Sequence, residues 1–308
     1  MDTLSALESF VSAVQLGSLS GAARQRRVSQ PAISQQISAL ETLYDTQFLL
    51  RNRSGVRMTQ SGELLYKHAV NILDEQENLK SGLDNLTGKV AGDLVVTANL
   101  GLSQHVMGEV IIALAKQHPD LRISLRADDR ILDLSTENID IALRSGTVGN
   151  GNGVARKIAA LSVLLVATPE YLDFAGRPSC PEDLINLDHI QYKVSYDQIA
   201  TPLIRAGQII QAPIKIGLTA QFPDFIIQAL MGNLGYAKLP EFLAADAVAN
   251  GQLEVVLPDW KTPEKELFIV YPTREKLSPR FLVFLNALFQ RLEMTSGVTM
   301  LTSAGHLV

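Results

Sequence analysis

Ser29-Gln30-Pro31-Ala32-Ile33-Ser34-Gln35-Gln36-Ile37-Ser38-Ala39-Leu40-Glu41 reads as a helix with two unlike faces. Ser29 is a natural N-cap, and Pro31 falls in the first turn, where its missing N–H costs nothing. Ile33, Ile37, Leu40 and Tyr44 step by 4, 3 and 4 and form one apolar stripe. Gln30, Ser34, Gln35 and Ser38 occupy a separate, polar face. Short amide and hydroxyl side chains let a helix enter a DNA major groove, where Gln pairs with an adenine edge and Ser with several bases.

The flanks extend that reading. Upstream, Leu4, Leu7, Phe10, Val11 and Val14 recur at helical spacing until Gly17 stops the helix. Ser18 then caps a short second helix through Ala22-Ala23-Arg24-Gln25. Two short helices joined by a tight turn match the helix-turn-helix arrangement. Downstream, Arg51-Asn52-Arg53-Ser54-Gly55-Val56-Arg57-Met58-Thr59 is turn-rich and basic, as in a small hairpin or wing whose arginines reach phosphates or the minor groove. Leu65, Ala69, Ile72, Gln76, Leu79, Leu83 and Leu86 then step by 4 and 3 in alternation. That is a heptad seam with one polar member beside a charged flank, and it predicts a dimer contact that sets two recognition helices on successive half-sites.

Charge supports the same division. The chain has 308 residues, enough for two or three domains at about 100–200 residues each, and a formal net charge of −5. It is therefore no polycation. Yet residues 18–60 carry Arg24, Arg26, Arg27, Arg51, Arg53 and Arg57 against Glu41 and Asp45 alone, a local +4. Arginine is the cation suited to bidentate contact with phosphate or guanine. Hydrophobic residues at 46% and charged residues at 19% exclude a disordered chain. The single cysteine, Cys180, excludes an internal disulfide framework and a Cys-rich zinc module, and with no basic neighbour closer than Arg177 it is a poor redox sensor. The N-terminus lacks the pattern of a signal peptide, and the longest apolar run, 158–167, is far short of the ~20 residues of a spanning helix. A cytoplasmic protein without a membrane partner is expected.

After residue 90, strand-like runs alternate with helix-like ones, as in α/β folds. Strands are predicted at 94–98, 121–126, 139–143, 161–167, 214–219 and 267–271, and helices at 102–117, at 223–231 and around Phe281, Phe284, Leu285 and Leu288. Residues 296–308 carry no such pattern and are expected to form a poorly ordered tail.

Enzyme chemistry finds no footing. The five histidines are scattered, Gly17-Ser18-Leu19-Ser20-Gly21 places leucine where a nucleophile elbow needs serine, and Gly149-Asn150-Gly151-Asn152-Gly153-Val154 fails G-x-G-x-x-G at its sixth place and is better read as a loop. No metal site and no cofactor are expected. A solute-binding protein without DNA function would leave the arginine-bearing helix-turn-helix unexplained.

The N-terminal residues resemble the LysR-type transcriptional regulators. The match runs through Phe10-Val11, Gly17-Ser18-Leu19-Ser20, Ala22-Ala23, Val28-Ser29-Gln30-Pro31-Ala32-Ile33-Ser34, Ile37, Leu40-Glu41, Phe48-Leu49, Arg51, Met58-Thr59 and Gly62. It continues more sparsely through His118-Pro119-Asp120-Leu121, Asp140-Ile141-Ala142-Leu143-Arg144, Pro169-Glu170-Tyr171-Leu172, Gly232 to Pro240 and Tyr271-Pro272. Gly21 and Arg26 depart from the pattern, where a helix former and an apolar residue are usual, and Asp45 stands where glycine is usual. A slightly weaker second helix is the expected cost, since Gly in a helix loses ~1 kcal/mol against Ala.

The resemblance implies a winged helix-turn-helix DNA-binding domain at 1–60, a linker and dimerisation helix at 61–89, and a C-terminal α/β effector domain of two subdomains resembling periplasmic solute-binding proteins. Subdomain I would comprise 90–163 and 267–295, and subdomain II 164–266. Ser29, Gln30, Pro31, Ser34 and Gln35 would touch base edges or nearby sugar-phosphate, with Arg51, Arg53 and Arg57 on the backbone or minor groove. The implied function is sequence-specific transcriptional regulation by a homodimer or homotetramer on a dyad-symmetric promoter site of double-stranded DNA, with RNA polymerase as a further candidate partner. Control would come from a small-molecule effector between the subdomains. In open α/β sheets ligands sit beyond the carboxyl ends of strands. Asn99, Leu100, Gly101, Ser103, Asp128 and Arg144 (with Ser145) hold such positions, and Gln221 and Phe222 stand at the helix start across the cleft; together they predict a pocket for a small anionic or polar molecule.

Overall fold

The computed structural model describes residues 2–52, 55–87, 90–130, 132–134, 137–146, 148, 153–192, 200–272 and 278–306; for 51–52, 74, 77–78, 80–82, 84–87 and 306 it describes only the backbone path. The chain divides into two compact units, Met1–Thr87 and Gly88–Val308.

The first unit runs α1 (Thr3–Gln15), α2 (Leu19–Arg26), α3 (Gln30–Leu43), β1 (Leu49–Asn52), β2 (Gly55–Met58) and α4 (Gln60–Thr87). Each of the first three helices starts where a side chain satisfies an otherwise orphaned N–H: Asp2 accepts from Ser5, Ser18 from Gly21 and Ser29 from Ala32. Asp45 takes a left-handed φ of 46°, the conformation that explains a usual glycine there. Phe10, Ile33, Ile37 and Leu40 are wholly buried, whereas Tyr44, expected to end their stripe, is 53% exposed.

The wing is held from both ends. β1 and β2 pair antiparallel from Leu49↔Met58 to Asn52↔Gly55. The Val56 N–H donates to the Gly17 carbonyl at 3.0 Å, and Glu41 accepts from the amides of Phe48 and Leu49. Thr59 Oγ1 accepts from the Gly62 amide at 3.0 Å near the head of α4. A Cβ on Gly62 would lie 2.1 Å from the Phe48 carbonyl oxygen, so only glycine lets α4 pass this close.

The heptad seam divides. Ala69 is wholly buried in the unit's own core, and Leu65 packs partly against that core. Ile72, Leu79 and Leu83 are 46%, 64% and 56% exposed, and Gln76 is exposed with them. The side chain of Leu86 lies outside the described residues.

The second unit runs β3 (Gly92–Ala98), α5 (Leu100–Leu102), a π-helical turn (Ser103–Met107), α6 (Gly108–Gln117), β4 (Leu121–Ala127), β5 (Ile141–Ser145), β6 (Val154–Leu161), β7 (Val163–Ala167), α7 (Pro169–Ala175) and β8 (Asp188–Tyr192). It continues with β9 (Ala200–Arg205), β10 (Gln208–Pro213), β11 (Lys215–Ala220), α8 (Pro223–Met231), β12 (Tyr236–Pro240), α9 (Glu241–Ala249), β13 (Glu254–Val255), β14 (Lys265–Tyr271), α10 (Pro279–Glu293) and β15 (Val298–Met300). One sheet has the order β15-β6-β14-β5-β3-β4, another β11-β8-β12-β7-β13, and β9 with β10 forms a separate hairpin. The first sheet packs against α6 and α10 through Leu94, Val96, Val110, Leu114, Phe281 and Phe284.

Two expectations change here. The run 161–167 is not one strand: β6 ends at Leu161, β7 begins at Val163, and Ser162 is where the chain passes from one sheet to the other. The Ser162 amide donates to the Gly297 carbonyl at 2.7 Å, and its own carbonyl accepts from the Glu241 amide at 2.9 Å. The chain returns between β13 and β14. Nor are residues 296–306 a loose tail, because β15 joins the first sheet beside β6 and the Leu301 amide donates to the Ile158 carbonyl at 2.9 Å; residues 307–308 lie outside the described residues. Three residues are too few to show a period, and their partner lies over a hundred positions away. Among the described residues no helix is long and apolar enough to cross a membrane. Residues 149–152 of the glycine-rich loop lie outside the described residues.

Candidate nucleic-acid interface and ligand cleft

The polar face of α3 is available. Ser29, Gln30, Pro31, Gln35 and Ser38 are exposed and Ser34 is half-buried. Gln36, by contrast, turns inward: its Nε2 donates to Ser5 Oγ at 3.1 Å and its Oε1 accepts from Ser9 Oγ at 2.5 Å. Arg26 enters the same cluster, donating to the Ser5 carbonyl at 2.6 Å, to Ser9 Oγ and to the Glu8 carboxylate. The residue that departed from the expected apolar pattern is thus fastened by its own neighbours, and its charge is withdrawn from the basic patch. Arg24, Arg27 and Arg57 remain exposed. Arg51 is placed on β1 by its backbone alone, and Arg53 lies outside the described residues.

In the second unit a cleft opens between the two sheets, enclosing about 490 Å³ with the open solvent at its mouth included. Of the expected residues, Asn99 and Gly101 line it. The others do different work. The Leu100 amide donates to the Asp129 carboxylate at 3.1 Å. Ser103 is buried, its hydroxyl bound to the Ala98 carbonyl at 3.1 Å. Arg144 is buried, donating to the Asp128 carbonyl and to Thr97 Oγ1; burial lowers its pKa against the pull of Asp128 and Asp129. The Asp128 carboxylate is held by Arg130, which keeps it below the usual carboxylate range. Gln221 and Phe222 border a separate surface depression with Thr219 and Phe225.

The cleft has its own polar set: Asn99, Ser145, Tyr192, Lys238 and Lys265. Asn99 Nδ2 donates to Ser145 Oγ at 2.7 Å. The Tyr192 hydroxyl donates to Asp129, and burial together with that carboxylate raises its pKa. Lys238, on β12, donates to Thr201 Oγ1 at 3.3 Å; burial lowers its ammonium to about 8, and Lys265 pushes the same way. Lys265, at the start of β14, is open to the cleft solvent yet also lowered by desolvation, with Asp129 opposing. Near Lys238, burial lowers His189 to about 4, and among the described residues its Nδ1 has no hydrogen-bond partner. The lysines escaped the sequence reading because each stands alone in an unremarkable strand, and only the pairing of β12 and β14 with their sheets brings them to one cavity. The sequence signal for Lys238 was a cation within an otherwise apolar strand, and Lys265, followed by Glu266 at the strand's start, carried none.

Comparison with known proteins finds matches for both units. Residues 4–63 match the model of the bacterial regulatory helix-turn-helix protein, lysR family, and residues 87–293 that of the LysR substrate binding domain. An uncharacterised HTH-type transcriptional regulator of Haemophilus influenzae is 28% identical over 277 residues, 90% of this chain and 96% of that protein. The HTH-type transcriptional activator AaeR of Escherichia coli is 24% identical over 297 residues, 94% of this chain and 93% of that protein. The structure of CrgA, a LysR-type regulator from Neisseria meningitidis, superposes with a TM-score of 0.60 at 24% identity, covering 92% of this chain and 97% of that one. With a winged helix-turn-helix in front and a two-sheet substrate-binding domain behind, the chain belongs to the LysR-type transcriptional regulators, DNA-binding proteins and not enzymes, with an effector-binding domain.

Proposed function

We propose that two or four copies of this chain hold a dyad-symmetric promoter site, reading it through α3 and answering to a small molecule in the cleft lined by Asn99, Ser145, Lys238 and Lys265. The observation that carries the DNA half is the exposed, polar and uncharged face of Gln30, Pro31, Gln35 and Ser38 beside the exposed cations Arg24, Arg27 and Arg57. The amides and hydroxyls suit base edges, and the arginines suit phosphates. Arg51 and Arg53 on the wing are assigned to backbone or minor groove from the sequence. The exposed row Ile72, Leu79 and Leu83 supplies the apolar face through which α4 meets a second copy. RNA polymerase is the partner through which such a site acts on transcription.

An effector shifts this assembly only by its differential affinity for two arrangements of the subdomains. The cleft is where such a difference arises, because its walls come from both sheets. The test is sequencing of genomic fragments retained by the full-length protein at near-physiological salt, with and without a cell extract as effector source. A recurrent dyad that disappears with Gln30→Ala supports the reading. Equal retention of all fragments by both proteins overturns it.

A further inference from the structure

We propose that the cleft ligand is a small monocarboxylate with an apolar body, its carboxylate seated between Lys238 and Lys265. This rests on the cleft being the effector site and names the chemistry that site selects.

The two lysines enter the cavity from opposite sheets, Lys238 from β12 and Lys265 from β14. Among the described residues neither has a carboxylate within ion-pair distance, and two buried or half-buried arginines are better partnered. Arg144 is bound to a carbonyl and a hydroxyl, and Arg26 to a carboxylate. Lys238 has one hydroxyl, Thr201, and each lysine loses hydration to the surrounding protein. Two like charges that share one cleft disfavour each other, Lys265 lowering Lys238, and an anion between them offsets that penalty.

Charge balance narrows the anion. Asp129 is the acidic group acting on Lys265, and it is already taken by the Leu100 amide and the Tyr192 hydroxyl. Asp129 also acts on Arg144, so the two ammonium groups leave the cleft net positive and suited to an anion, and the apolar wall decides against a hydrated phosphate. Asn99 and Ser145 stand on the same lining as further hydrogen-bond groups. The remaining wall is apolar: Leu161, Leu239, Pro240, Phe242 and Leu243. A hydrocarbon or aromatic body fits that wall, and a hydrated dicarboxylate or a sugar does not. Because the lysines belong to different sheets, the carboxylate favours whichever arrangement of subdomains brings them together, which is the differential affinity regulation requires.

The experiment is calorimetric titration of the full-length protein with benzoate, octanoate and indole-3-acetate, each against its neutral amide, and with inorganic phosphate. At least one carboxylate should bind tenfold or more tightly than its amide. Lys238→Met and Lys265→Met should each weaken it tenfold or more, and Lys238→Arg should keep it within about threefold. In the unmutated protein carrying ¹³C-dimethylated lysines, two lysine signals should shift with the carboxylate and stay put with the amide, a readout that needs no variant to fold. Equal binding of acid and amide, unchanged affinity in folded methionine variants, tighter binding of phosphate, or no binding of any carboxylate overturns the proposal. Leu243→Trp, which fills the cleft, separates this failure from that of the effector site. If acid and amide bind equally and both are blocked, the site stands and its anion preference falls. If ligands bind and are not blocked, both fall.

Discussion

Arg26 in the first unit and the cleft lysines of the second are partnered in opposite ways. In the first, Arg26 sits among α1, α2 and α3 with Ser5, Ser9 and Glu8 all turned to it, and it serves the fold. In the second, Lys238 and Lys265 share a cavity with one hydroxyl contact between them. A cation whose donors are satisfied by its own chain is architecture, and one left short of partners in a cleft is an offer to a ligand. Arg144 shows that the rule divides residues within one unit as well. Its place at a strand end suggested a ligand contact, and its guanidinium is turned to the Asp128 carbonyl and Thr97.

The strongest test of the division into units is Gly62→Ala. With the Phe48 carbonyl 2.1 Å from the new Cβ, the first unit should lose about 3 kcal/mol or unfold. The second unit should melt as before, so that calorimetry shows one transition moving and one fixed. A common shift of both transitions would break the separation.

Next comes the pH dependence of the second unit. His189 is folded around its neutral form, with a pKa near 4 against an ordinary 6.5. A group whose folded pKa is depressed in this way contributes stability that is complete above about 6.5 and is lost as pH falls toward 4. The effect is on the order of 3 kcal/mol across that window. His189→Phe should flatten the profile there, and a parent profile already flat between pH 6.5 and 4 would remove His189 as its cause.

On the DNA face, Gln30→Ala should lower discrimination at one base pair by ~1–3 kcal/mol while nonspecific binding persists. Competition binding on single-base operator variants measures this, and uniform weakening on every sequence would move Gln30 to the backbone contacts. Arg26 and Arg57 then make a matched pair. Arg57→Ala should reduce the slope of log K against log[salt] by ~0.9. Arg26→Ala should leave that slope alone and cost about 1–2 kcal/mol of stability, discounted because Glu8 is half exposed. A slope change with Arg26→Ala would return it to the phosphate-binding set.

The reading helix was legible because every cause of it is local. A cap, a proline and a stripe of period 3.6 sit within sixteen residues, and Gly62 with Thr59 marks the wing's junction to α4. The seam on α4 was legible only in part. Periodicity reports that a face is apolar, not what covers it, so Ala69 in the core and Leu79 in solvent look alike. In the second unit β3, β4, β5, β7, β11 and β14 could be located, but β6, β8, β9, β10, β12, β13 and β15 were missed, as was the break at Ser162, since an apolar run continues across it.

The sequence by itself therefore determined the helix-turn-helix, its polar face, the charge asymmetry and the α/β character of the rest, since these follow from interactions between residues a few positions apart. Tertiary structure alone decided which cations are fastened and which stand free, that β15 completes a sheet, and that Lys238 and Lys265 meet. Those outcomes depend on strand order, which joins residues far apart in the chain, and no local period records which strand will lie beside which.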